Sequence, residues 1–124
     1  MASCTPKMPV KAFIDRYPNG EILEWSIDKN GYCEAKFLLD GVKYRADFSE
    51  EGVWRETERN VKWKDLPQVV IETIEGITSK KKIVELEEVD SQKYGKFYDV
   101  EYKKKNGKKQ DVMIDYKGKI LGYE

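Results

Sequence analysis

Between residues 32 and 54 apolar and polar side chains alternate with a period of two. Ala35 and Phe37 alternate with Glu34 and Lys36. After Asp40-Gly41, Tyr44, Ala46 and Phe48 alternate with Lys43, Arg45 and Asp47. Such alternation sends successive side chains to opposite faces of a strand and predicts a β-hairpin. Asp-Gly supplies the two positive-φ positions of a type I′ turn. Glu51-Gly52 offers a second turn towards Val53 and Trp54.

The flanking pattern predicts the remaining elements. Val10, Phe13, Ile14 and Tyr17 fall at i, i+3, i+4 and i+7, an apolar helical stripe beginning at Pro9 and stopped by Tyr17-Pro18-Asn19-Gly20. Residues 21–28 read as a strand with Leu23, Trp25 and Ile27 on one face. Residues 53–61 read as another, with Trp54 pointing one way and Arg55, Thr57 and Arg59 the other. Asp65 as N-cap, with Gln68 three residues on, predicts a second helix with Val70, Ile71 and Ile74 inward and Gly76 at its stop. Strands follow over 82–89, 97–104 and 108–116, then Ile120-Leu121, with Asn106-Gly107 as a further I′-type turn.

The second half repeats the first. Met8-Pro9 corresponds to Leu66-Pro67, Ala35 and Phe37 to Val100 and Tyr102, Asp40-Gly41 to Asn106-Gly107, Phe48 to Ile114, Gly52 to Gly118, and Trp54 to Ile120. The fold class expected is α+β: a tail over residues 1–7, then one domain over 8–124 made of repeats 8–62 and 63–124. Each repeat supplies one helix and about four antiparallel strands. An apolar helix stripe needs a sheet face to bury against, so one antiparallel sheet with both helices on one side is the economical arrangement.

Composition narrows the chemistry. The 124 residues carry 23 basic and 23 acidic side chains, a net charge of zero. Nucleic-acid binding needs a basic surplus to release counterions, so no nucleic-acid partner is expected. Histidine is absent, which removes the commonest general base and metal ligand. Glu56 and Glu58 share a strand face, yet such pairs are ordinarily a solvated surface. No phosphate loop, nucleophile-base pair or dense calcium loop is present, and no metal or cofactor is expected. No stretch approaches the ~20 apolar residues of a membrane span. Cys33 alternates in phase with Ala35 and Phe37 and reads as a small buried side chain. Cys4, in Ala-Ser-Cys-Thr, reads either as a lipidated cysteine remaining from a lipoprotein signal or as a thiol in a loose tail. Two lysine runs, Lys80–Lys82 and Lys103–Lys109, read either as soluble turns or as patches for an anionic partner.

With Phe37, Tyr44, Phe48, Val100 and Ile114 inward, Tyr32, Lys36, Arg45, Arg55, Arg59 and Met113 are expected on the opposite face. Tyrosine and arginine are favoured in interface hot spots. The order of Pro, amphipathic helix, Tyr-Pro-Asn-Gly, Glu-Trp, Asn-Gly-Tyr, Leu-Asp-Gly-Val-Lys-Tyr and Asp-Phe-Ser-Glu-Glu-Gly-Val-Trp resembles the PepSY-like, β-lactamase-inhibitor-like family over residues 8–124. These are small exported proteins, chiefly of Bacteroidetes. The resemblance implies tandem α+β repeats on a curved antiparallel sheet, as in β-lactamase inhibitor protein, and a periplasmic or cell-envelope location. It implies neither an enzymatic activity nor a defined ligand. The expected role is a non-enzymatic binding module that engages a protein or peptide through its open sheet face, enzyme inhibition being the sharpest version. The alternative is a small-ligand or envelope-sensing domain with a site between helices and sheet, lined by residues such as Trp25, Phe37 and Tyr98.

Overall fold

The computed structural model describes residues 7–124. Two helices, α1 (Lys7–Arg16) and α2 (Gln68–Glu75), accompany eight strands. The strands are β1 (Glu21–Ile27), β2 (Cys33–Leu39), β3 (Val42–Phe48), β4 (Trp54–Asn60), β5 (Ile83–Ser91), β6 (Gly95–Lys103), β7 (Lys109–Asp115) and β8 (Ile120–Tyr123). They form an eight-stranded antiparallel sheet in chain order, an α+β fold. The chain divides into two compact units. One runs to Arg59 and includes Ser91–Lys93; the other comprises Asn60–Asp90 and Tyr94–Glu124.

In the first unit the alternation seen in the sequence becomes register. Ala35 pairs with Ala46 and Phe37 with Tyr44 on one face, while Lys36 pairs with Arg45 and Glu34 with Asp47 on the other. Asp40 and Gly41 have φ of 51° and 78°, the two positive values of a type I′ turn. The ring of Phe13 lies 4.9 Å from Phe37 and 6.4 Å from Phe48, which fixes α1 on that face. Tyr17 and Tyr44 close the cluster from 4.8 and 5.6 Å. The helix starts at Lys7 rather than Pro9, and its buried residues are Pro9 and Phe13. Ile14, expected inward, is 56% exposed. A ten-residue helix touches the sheet along one narrow line, and residues 9 and 13, four apart, define that line.

Two register shifts in the first unit change the faces of β1 and β4. In β1 the register skips at Leu23, which is exposed, leaving Trp25 against Ala35. In β4 it skips at Arg55, so Phe48 pairs with Trp54 and Ala46 with Thr57. Trp54 and Thr57 therefore share the helix side, and the Trp54 indole N–H donates to the Thr57 hydroxyl at 2.9 Å. This corrects the expectation that Trp54 and Thr57 oppose one another, because a bulge inserts one residue and inverts the alternation beyond it.

In the second unit Leu66, Val70 and Ile74 pack on Tyr98, Val100, Tyr102, Val112 and Ile114. The expected Asp65 cap of α2 is not formed. The Asp65 carboxylate instead accepts from the Lys62 amide at 3.2 Å across a 3-10 turn, and Pro67 precedes the helix. Gly76 closes α2 as expected. The Asn106-Gly107 turn is not type I′, since only Gly107 has positive φ. Asn106 uses its side chain to accept from the Lys108 amide at 2.9 Å, giving a longer loop.

Candidate binding surface

Each unit buries one sheet face under its helix, and among the described residues no helix covers the other. On the first unit's open face, β2, β3 and β4 bring polar side chains into rows. Lys36 Nζ lies 3.7 Å from Glu24 on β1 and pairs in register with Arg45. Arg45 Nε donates to Glu58 Oε1 at 3.2 Å, both side chains being less than a quarter exposed. Arg55, next to the inward Trp54, is the extra residue of the β4 bulge. Its guanidinium sits over the Tyr32 ring, 4.0 Å from the centroid, and donates to the Tyr32 hydroxyl. Stacking holds both side chains in one orientation while leaving the guanidinium edge presented.

Four expected contact residues, Tyr32, Lys36, Arg45 and Arg55, thus share one face of the first unit. Arg59 does not join them. It lies two residues beyond Thr57 on β4 and follows that residue's register on the helix side, a consequence of the same bulge. Met113 is on the open face of the second unit but only 5% exposed, packed with Val89 and Phe97. A small apolar cluster occupies the position where an exposed contact was expected. Cys4 lies outside the described residues. Cys33 is buried as expected, and it is held in a disulfide bond rather than carrying a free thiol.

The sequence reading missed two buried carboxyls on these faces. Asp47 on β3 is pushed up to about 8, first by burial and then by Asp28, Glu34, Glu56 and Glu58. Asp99 on β6 is pushed up to about 9, by burial, by a hydrogen bond with Asp111 and by the charges of Glu87 and Glu124. One Asp99 oxygen is buried without a hydrogen-bond partner. Both residues carry protons at neutral pH, since ionising either would place charge in a desolvated site among other carboxylates. Their positions were legible as the polar half of the strand alternation; their burial was not. Among the described residues no group of three or more acidic, cysteine or histidine side chains could hold a metal. No described helix is long and apolar enough to cross a membrane. The first unit's interior is filled, with Phe37 at 0% exposure, so its helix–sheet space holds side chains where the alternative reading would place a ligand.

No curated protein matches the chain. Among solved structures, a BLIP-like protein from Bacteroides fragilis is 21% identical, with a TM-score of 0.78 over 98% of this chain and 86% of its own. A protein from Bacteroides eggerthii, described as a "putative periplasmic" protein, is 18% identical, with a TM-score of 0.79 over 98% and 88%. Both share the fold. Residues 31–122 match the family described as "Putative beta-lactamase-inhibitor-like, PepSY-like". By that match the chain belongs to the PepSY-like family.

Proposed function

We propose that this protein is an exported, non-enzymatic binding module that recognises a protein or peptide through the open face of its first unit. The observation that carries the reading is the grouping of Tyr32, Arg55, Lys36 and Arg45 on one face. A guanidinium stacked on a tyrosine is a preordered interface anchor, since little rotamer freedom is left to lose on binding. The half-buried Arg45–Glu58 pair fixes the charge pattern beside it. Enzyme inhibition is the sharpest form of this reading and draws on the BLIP-like neighbour by analogy of fold. The Cys33 disulfide suits an oxidising compartment, which supports a periplasmic or envelope location.

We also infer that residues 8–62 and 63–124 are two copies of one helix-plus-four-strand unit. Gly52 and Gly118 are equivalent in that alignment. A Cβ on Gly52 would lie 2.8 Å from the Met8 carbonyl of α1, and one on Gly118 would lie 2.8 Å from the Val69 carbonyl of α2. Each unit thus uses a positive-φ glycine to bring a strand turn against its helix.

The test is capture from a bacterial envelope extract by the wild type and by the triple variant Y32A/R45A/R55A, followed by affinity measurement with each purified candidate. Partner binding lost at least tenfold in a still-folded variant supports the reading. Equal retention moves the site off this face and overturns it.

A further inference from the structure

The two lysine runs are 21 residues apart in sequence, yet the fold brings them to one place in the second unit. Beyond α2 the chain is pinned by the Thr78 amide, which donates to the Ile74 carbonyl at 2.9 Å, and by the Lys82 amide, which donates to the Ser79 carbonyl at 2.9 Å. Opposite, the β6–β7 hairpin is fixed by the Lys104 amide on the Lys108 carbonyl at 2.8 Å and the Gly107 amide on the Lys104 carbonyl at 2.9 Å. Between them lies a depression of about 380 Å³. Lys82 borders it on one side and Lys103, Lys104 and Lys105 on the other, with Thr78 and Ser79 adding hydroxyls. Ile77 and the ring of Tyr102 supply its apolar wall. No aspartate or glutamate borders it, and among the described residues none of these four lysines makes an ion pair.

This concentration is not a by-product of composition, because the chain as a whole is neutral. Edge protection accounts for a lysine-rich hairpin tip. It does not account for a lysine of another element, Lys82, bordering the same depression with no carboxylate on its lining. Like charges so placed repel one another, and an anion seated among them relieves that repulsion. The volume falls within the lower part of the roughly 300–1,000 Å³ range of small-molecule sites. All four arginines lie before residue 60, so the site offers ammonium point charges rather than planar forks. Spread ammoniums suit several compact anionic groups better than one carboxylate clamped in a bidentate pair.

We propose that this depression binds a small soluble polyanion, a sugar-sized molecule bearing two or more phosphate or sulfate groups, at a site independent of the open sheet face. The hydroxyls of Thr78 and Ser79 donate to its ester oxygens, and the wall of Ile77 and Tyr102 contacts its body.

The test is calorimetric titration with inositol hexakisphosphate and, separately, sucrose octasulfate, at physiological ionic strength. The expected result is saturable binding of at least one probe by the wild type; the tighter probe names the anionic group. K82A/K103A/K105A loses about tenfold or more, as expected when charge-assisted hydrogen bonds are removed. T78A/S79A, with every lysine intact, loses a smaller factor of about threefold or more. The control K7A/K29A/K43A, which removes three exposed lysines from the first unit, stays within about twofold of wild type. All these side chains lie at the surface, and matched thermal melts establish that the variants fold. Absence of saturable binding, or equal weakening in the control, overturns the proposal. So does binding to phosphatidylserine-containing vesicles with none to either soluble probe, which would make the patch a membrane-docking surface.

Discussion

At the scale of single residues, direction was legible in the sequence and burial was not. Arg45 and Phe37 were both assigned to the correct faces by alternation. Phe37 sits at 0% exposure among Phe13, Tyr17 and Tyr44. Its truncation to alanine leaves a cavity that a close-packed aromatic cluster cannot refill, and is expected to cost about 3–5 kcal/mol. Arg45 reads in sequence as an open surface position, where a substitution costs no more than ~0.5 kcal/mol. The structure places it in a half-buried pair with Glu58, in register with Lys36 on the side away from α1. Removing the arginine leaves Glu58 uncompensated on the face that also holds Asp47 and Glu56, so Arg45→Ala is expected to cost about 1 kcal/mol. Urea denaturation of the two variants checks both values. Equal costs would mean that the two faces are misassigned.

At the scale of elements, turns chosen by glycine were legible, whereas bulges and helix phase were not. Asp40-Gly41 announced its turn because few residues tolerate positive φ. The skips at Leu23 and Arg55 left no such mark, since a bulge alters parity without changing composition. That single inserted residue in β4 inverted the alternation beyond it and so kept Arg59 off the open face that Arg55 reaches. The phase of α1 was likewise hidden, because apolar side chains at 10, 13, 14 and 17 outnumber what so short a helix can bury. Gly118 and Gly107 separate two reasons for conserving a turn's geometry. Both have strongly positive φ, at 87° and 83°. A Cβ on Gly118 would meet the Val69 carbonyl at 2.8 Å and the Thr73 hydroxyl at 3.1 Å, while one on Gly107 would meet nothing within 4 Å. Gly107→Ala is therefore expected to cost about 1 kcal/mol from backbone strain alone. Gly118→Ala adds the displacement of α2 and the loss of the 2.6 Å bond from Thr73 to the Gly118 carbonyl, for about 2–4 kcal/mol. Denaturant midpoints for the pair give the difference directly; equal midpoints would show that the turn yields without disturbing the helix.

At the scale of the whole molecule, the buried carboxyls and the missing histidines act together on stability. Asp47 in one unit and Asp99 in the other hold protons up to about 8 and about 9. Glu34 and Glu101 are shifted upward as well, chiefly by burial. In the unfolded chain the aspartates release their protons near 3.8. Below that value both states are protonated and the difference vanishes. From about pH 4 to 8 or 9 the folded state binds protons that the unfolded state has lost, so stability falls as pH rises, and above that window it levels. This slope opposes the familiar acid lability that comes from ion-paired carboxylates. No histidine titrates across the middle of the range to obscure it. Thermal melts from about pH 5.5 to 8.5 lie above the ordinary carboxylate range and below that of lysine, and should show a declining Tm. Asp47→Asn and Asp99→Asn keep the neutral shape that each site already holds at low pH. Each is expected to raise Tm across this range by an amount that grows with pH, to about 1–2 kcal/mol at the alkaline end, with the slope flattest in the double variant. A Tm that rises with pH, or a slope untouched by both substitutions, would mean that these carboxyls are ionised in the folded protein and that the open faces carry more negative charge than their burial allows.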